Sequence, residues 1–88
     1  MPIMISSELA DMDPETWQRI GPAIEKKLQD APGFVLHVGC QSAGGWKIIE
    51  VWESYDAFSD WMEGPATSFM PPGYEPIFQV HDVHVVLK

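Results

Sequence analysis

Positive charge is scarce in this chain. Its 88 residues carry five bases, Arg19, Lys26, Lys27, Lys47 and Lys88, against 13 acids, for a net charge of −8. No basic run exceeds two residues, so the domain repels phosphate backbones and nucleic acid is not an expected partner. Long apolar runs are also missing, since no stretch reaches the roughly 18 residues that a membrane span needs. The opening MPIMISSEL has neither a basic segment nor a cleavage site. No signal peptide or membrane contact is therefore expected, and the expected location is cytoplasmic. Cysteine is nearly absent: Cys40 alone cannot close an intrachain disulfide, in keeping with a reducing compartment.

Large apolar side chains are abundant instead. Four tryptophans (Trp17, Trp46, Trp52, Trp61), four phenylalanines and five methionines belong to a chain of only 9.9 kDa. Surface scaling gives a monomer of that mass about 5,200 Å² of exposed surface out of about 14,000 Å² unfolded. That is one small domain, spanning residues 1–88, with more aromatic mass than its own core easily hides. A cavity, an oligomer interface, or both are implied.

Periodicity divides the chain into six elements. Pro2 to Leu9, with Ile3 and Ile5 separated by Met4, reads as a strand. Asp13-Pro14-Glu15 starts a helix with a side-chain cap, a proline in the first turn and a carboxylate near the positive end of the dipole. Trp17, Ile20, Ile24 and Leu28 form its apolar face, and Gly21-Pro22 predicts a kink or restart. Ala31-Pro32-Gly33 ends it. Phe34 to Gln41 alternates with period two, Ser42 to Gly45 is a hairpin connection, and Trp46 to Glu53 is the return strand. Ser54 caps a second helix with Tyr55, Phe58, Trp61 and Met62 on its apolar face, stopped at Gly64-Pro65. Ala66 to Pro76 reads as irregular, and Ile77 to Leu87 as a last strand.

The order β-α-β-β-α-β is the ferredoxin-like α+β arrangement, one antiparallel sheet with two helices on a single face. With Gln41 opposite Trp46, the hairpin sets His37 opposite Glu50 and Val35 opposite Trp52. One face then holds Phe34, Leu36, Val38, Cys40, Ile49 and Val51, which suits a covering of helices and makes Cys40 a small buried hydrophobe. The other holds Val35, His37, Gln41, Trp46, Ile48, Glu50 and Trp52. That mixed surface is what a ligand cavity closed by a second subunit would present.

Three stretches carry a resemblance: Pro32-Gly33-Phe34-Val35-Leu36-His37-Val38, then Gly45 to Ser54 (GWKIIEVWES) with Asp56-Ala57-Phe58, and the terminal Val83-His84. Together they resemble the dimeric α+β barrel superfamily, with the antibiotic-biosynthesis-monooxygenase-like proteins as the nearest subgroup. The resemblance implies a homodimer whose two sheets pack into a barrel, each subunit keeping a pocket between sheet and helices. It implies no single chemistry, because the superfamily includes haem-degrading enzymes, polyketide cyclases and cofactor-free oxygenases.

Each branch makes a demand on particular residues. Trp52 to Trp61 (WESYDAFSDW) is similar to the haem-degrading branch, but the place of its iron-ligating histidine holds Met70, Pro71 and Pro72, and Ser6 or Ser7 replaces the asparagine of the first strand. Haem is therefore not expected unless a methionine or another histidine serves. The cyclase branch has a histidine pair around a Pro-Ala pair. Here Gly64-Pro65-Ala66-Thr67 has neither histidine, which leaves a cyclase-like protein as a third reading.

The cofactor-free oxygenase branch asks for a base, an apolar pocket wide enough for fused rings, and a donor for a developing oxyanion. His37 is the candidate base and Glu50 its orienting partner. Trp46, Trp52 and Trp61 are candidate ring-stacking walls, with Val35, Ile48 and Phe69 completing a substrate pocket. Trp17 and Trp61 lie on core-facing helical stripes and also read as plain core. His37, His81, His84, Glu50 and Asp82 are the possible metal ligands, but His81 and His84 are three apart on a strand and point to opposite faces, so no metal is expected. The expectation is a dimeric barrel enzyme without cofactor, a monooxygenase acting on a small aromatic or polyketide-like molecule. The alternative is a non-catalytic barrel that binds a small hydrophobic ligand or serves as an accessory protein.

Overall fold

Strand β1 (Ile3–Leu9) is the spine of the molecule, because it pairs on both edges. The computed structural model describes residues 2–10, 12–69 and 77–87. In chain order β1 is followed by α1 (Pro14–Gln29), β2 (Phe34–Ser42), β3 (Gly45–Trp52), α2 (Tyr55–Glu63), a short 3₁₀ helix (Pro65–Phe69) and β4 (Phe78–Asp82). The sheet order is β2-β3-β1-β4 with every neighbouring pair antiparallel. This is the ferredoxin-like α+β fold read from the sequence.

Local chemistry sets the helix boundaries. The Asp13 carboxylate accepts the Thr16 N–H at 2.7 Å, and Ser54 Oγ accepts the Ala57 N–H at 3.1 Å, so each helix has one of its orphan donors satisfied. Pro22 lies inside α1 without ending it, so the expected restart does not occur. Pro22 and Gln18 are both exposed, and the Gln18 carbonyl that loses its N–H partner can turn to water. Gly33 joins the layers at φ 81°, a conformation that favours glycine, and a Cβ there would meet Ala57 Cβ at 2.6 Å. Its carbonyl accepts the Glu53 N–H at 2.8 Å.

Three strand expectations are corrected. Ser42 pairs with Gly45, so the β2–β3 hairpin turns over two residues, not four. A bulge between Phe34 and Leu36 sets Phe34, not Val35, opposite Trp52, while His37 stays opposite Glu50 and Gln41 opposite Trp46. The last strand stops at Asp82, well short of Leu87. Past that end the Val83 N–H still bonds the Pro2 carbonyl at 2.9 Å. The stretch expected to be irregular begins with the 3₁₀ helix Pro65–Phe69, and its remainder, including Met70, Pro71 and Pro72, lies outside the described residues.

The larger correction concerns which face of the sheet the helices cover. They cover the mixed face. Ile3, Ile5, Trp52, Leu28, Phe58 and Trp61 form one buried cluster, and Phe34, carried to that side by the bulge, meets Trp52 edge-on at 5.5 Å. The aliphatic face is the open one, with Leu36 48% and Val38 44% exposed and Cys40 exposed, not buried. Apolar content alone pointed the other way. The physical reason for the inversion is that the helices contribute bulky rings, Trp17, Phe58 and Trp61, which pack against rings and not against a flat aliphatic surface. The polar members of the covered face are tolerated because they bond one another.

Candidate functional site

Glu50 is a carboxylate in a buried place, 8% exposed, and its two oxygens explain how it stays there. Oε2 lies 2.9 Å from His37 Nδ1 across the β2–β3 pair, and Oε1 accepts Trp52 Nε1–H at 3.0 Å. The alternation of β3 puts Glu50 and Trp52 on one face, and the antiparallel register brings His37 directly opposite. Glu50 is therefore held by two N–H groups from two strands. With Glu50 as the carboxylate, which only accepts, the hydrogen of this bond is on His37 Nδ1, and in the neutral form of that ring the lone pair is on Nε2. That nitrogen is buried and has no hydrogen-bond partner.

Trp17 covers this group from α1. Its indole stacks nearly parallel on His37, with centroids 5.9 Å apart at 13°, and on Trp46, 5.7 Å apart at 23°. Two glycines make room for the stack. A Cβ on Gly21, one turn along α1, would fall 2.5 Å from Trp17 Nε1, and one on Gly39 would fall 3.0 Å from the Trp46 ring. The indole N–H of Trp17 reaches Glu25 Oε1 at 3.2 Å, whereas that of Trp46 is buried without a partner. An unpaired buried polar group costs about 1–3 kcal/mol.

The remaining site candidates divide between two regions. Ile48 faces the helices beside this group, opposite Ser7 and Gly39. Val35 is the extra residue of the bulge and does not pair with Trp52. Trp52 and Trp61 belong to the main core, with centroids 6.2 Å apart, and Phe69 packs against that core from the end of the 3₁₀ helix. A groove elsewhere is lined by Lys27, Asp30, Glu53, Asp56, Asp60 and Trp61 among others, and by none of His37, Trp46 or Glu50. Among the described residues no three metal-ligating side chains converge. His81 pairs with Met4 on β1 and is exposed, and His84, past the end of β4, is exposed as well. His37 is bonded to Glu50 through Nδ1 and covered at its face by Trp17. Trp17, read from the sequence as core, is buried at 8% exposure; what the sequence did not show is that its partners are His37 and Trp46. The signal was its spacing of four from Gly21, which places the indole over a residue with no side chain.

No protein-family model matches the chain, and no curated protein does. Solved structures do. SnoaB from Streptomyces nogalater, a cofactor-independent oxygenase, superposes with a TM-score of 0.70 at 15% identity, covering 98% of this chain and 95% of its own. The chain has the antibiotic-biosynthesis-monooxygenase-like fold. Two further structures bracket its variety. The haem-degrader MhuD from Mycobacterium tuberculosis, solved with two haems in its active site, matches with a TM-score of 0.59 at 20% identity over the full length of both chains. A protein from Caulobacter crescentus carrying the antibiotic biosynthesis monooxygenase designation matches with a TM-score of 0.62 at 17% identity, over 96% of this chain and 89% of its own. One fold thus hosts oxygenation without a cofactor and haem breakdown. The fold by itself assigns neither activity to this chain. No helix among the described residues is long and apolar enough to cross a membrane.

Proposed function

We propose that the protein is a homodimeric, cofactor-independent monooxygenase acting on an electron-rich aromatic or polyketide-like molecule. The observation that carries this reading is the His37–Glu50–Trp52 chain, which ends in a buried imidazole nitrogen without a hydrogen-bond partner among the described residues. His37 Nε2 takes the proton from a phenol-activated ring carbon, and Glu50, fixed by the Trp52 indole, stabilises the imidazolium that forms. The carbanion passes its electrons to dioxygen. For a ring methylene the balance is complete: CH₂ and O₂ give C=O and H₂O, with one oxygen entering the substrate, the other leaving as water, and no external reductant. Trp46 Nε1–H is the donor available to the developing oxyanion. The likeness to SnoaB supports the class of reaction.

Dimerisation is part of the same proposal. The open face of Leu36, Val38 and Cys40 is a contiguous apolar surface across β2 that one protomer leaves in water, and a second copy of the sheet would cover it in an isologous contact. The test of the enzyme reading is oxygen uptake with a panel of hydroxylated polycyclic substrates. Wild-type protein consumes oxygen and His37→Ala does not, while both remain folded and of equal size by light scattering. Thermal stabilisation by the panel without oxygen uptake would replace the enzyme with a non-catalytic binding barrel.

A further inference from the structure

The His37 ring is engaged on two sides. Its Nδ1 lies 2.9 Å from Glu50 Oε2, and its π face lies against the Trp17 indole, with centroids 5.9 Å apart and planes 13° from parallel. A ring stacked on the face leaves the edge alone, so Nε2 keeps its direction in the plane of the imidazole. From this arrangement we infer that Trp17 is a positioning residue for His37: its indole fixes the plane of the imidazole and stabilises that ring when it carries a second hydrogen. The inference deepens the enzyme reading above, in which His37 passes through that charged state, and it rests on that reading only for the use made of the charge.

Three observations carry it. A cation within about 6 Å of an aromatic centroid is attracted by the ring's quadrupole, most strongly for tryptophan and where water is excluded. Trp17 meets both conditions, at 5.9 Å from His37 and 8% exposed. An imidazolium spreads its charge over its own plane, so the parallel stack turns all of it toward the indole face. The indole is also held and polarised in the favourable sense. Its Nε1–H donates to Glu25 Oε1 at 3.2 Å, and giving that hydrogen to a carboxylate leaves the ring richer in electrons. Glu50 from β3 and Glu25 from α1 are the charged groups that face the stack among the described residues, and both are carboxylates. Lastly, α1 makes room for this ring at a cost. Gly21 lies in the helix interior, where glycine is less stable than alanine, and a Cβ there would fall 2.5 Å from Trp17 Nε1. Ile20, Ile24 and Leu28 show that the same helix can fill a core with aliphatic chains that need no such gap.

The experiment changes the electrons of the Trp17 face while keeping its shape. Tryptophan analogues with one, two and three ring fluorines are placed at position 17 alone, beside the variants Trp17→Phe and Trp17→Leu. The readout is the ratio of doubly to singly protonated His37 at one pH, taken from its ring nitrogen-15 resonances. The expectation is a ratio that falls stepwise with each fluorine, and that falls about threefold to thirtyfold in Trp17→Leu, with Trp17→Phe in between. His81 and His84 are exposed and should keep one ratio throughout, which makes them internal controls. A ratio that is the same with no fluorine and with three would overturn the inference and leave Trp17 as packing alone. If Trp17→Leu does not fold, the fluorine series decides by itself, because it leaves the packing unchanged. None of these readouts involves turnover. A stepwise fall in a protein that consumes no oxygen would remove the monooxygenase proposal and keep this one, whereas a flat series with oxygen uptake intact would remove this one and keep His37 as the proposed base.

Discussion

The two faces of the sheet solve opposite problems with residues from the same strands. On the helix side, polarity is buried and made harmless by pairing: Glu50 binds His37 and Trp52, and rings from α1 and α2 close over them. On the open side almost everything is aliphatic, yet Leu36 and Val38 remain nearly half exposed. A buried carboxylate beside an exposed valine is the reverse of what composition suggests. The difference teaches that one sheet can bury its polar side chains on the face its helices cover and leave its aliphatic ones on the face they do not. Stability on the first rests on the hydrogen bonds to Glu50 and on ring packing, with His37 Nε2 and Trp46 Nε1 left unpaired among the described residues; on the second, the proposed dimer would supply what the protomer lacks.

The comparison is broken most severely by removing the ring on which the helix side rests. Trp52 is fully buried and meets Phe34, Phe58 and Trp61. Trp52→Ala is expected to cost about 3–5 kcal/mol, a large share of the roughly 5–15 kcal/mol that holds a domain of this kind together. Urea unfolding should show a collapse of the midpoint, whereas Val38→Ala on the open side should leave the unfolding of a protomer almost unchanged. A smaller but more informative change is Glu50→Gln. Trp52 Nε1–H keeps the amide oxygen as acceptor, so the amide N–H₂ is turned toward His37 Nδ1. The neutral imidazole then carries its hydrogen on Nε2 and loses the free lone pair. The expected outcome is a fold weakened by about 1–3 kcal/mol, a tautomer exchanged in nitrogen-15 spectra, and oxygen uptake reduced as far as in His37→Ala. Retained Nδ1–H with retained activity would remove Glu50 from its orienting role.

The open side is tested by charge. Leu36→Asp together with Val38→Asp places two carboxylates on an apolar surface that is exposed in a protomer and buried in the proposed dimer. Light scattering should show the mass halved while the circular dichroism stays that of a folded α+β chain. A dimer that survives this pair of charges uses another surface.

Much of the fold was legible because its signals are local. Pro14 after Asp13, the four-residue spacing of Ile20, Ile24 and Leu28, and the period-two run through His37 each follow from the geometry of a few residues. The cross-strand pair of His37 with Glu50 was legible too, because a hairpin transmits register from its turn. What misled was a bulge and a choice of side. No local signal at Phe34-Val35 announces an extra residue, yet that residue carries Phe34 to the helix face. Which side the helices take is decided by how Trp17, Phe58 and Trp61 pack against particular strand rings, a long-range fit that neither strand's pattern contains. The stacking partners of Trp17 were hidden for the same reason. On a helical wheel it is one more apolar residue, and only the sheet shows that its partners are His37 and Trp46.

The smallest expected effects belong to the caps that aim the two helices at one face, and they separate in pH. Ser54→Ala leaves the Ala57 N–H without its acceptor and should lower stability by about 1 kcal/mol at any pH, because a hydroxyl does not titrate. Asp13 caps α1, the helix that carries Trp17, and does titrate. The Thr16 N–H it accepts holds its carboxyl below the ordinary value of 3.8. Its ionised form is thus favoured by folding, so its contribution is present in full above that value and fades as pH falls through the lower, folded-state value. Asp13→Ala should therefore destabilise the protein at pH 7 by a margin that shrinks on acidification, while the Ser54→Ala margin stays constant over the same range. Thermal melts of the two variants and wild type at pH 7, 4 and 3 read the difference directly. An Asp13→Ala margin that does not narrow below pH 4 would mean that the carboxylate's charge plays no part in holding α1 over the sheet.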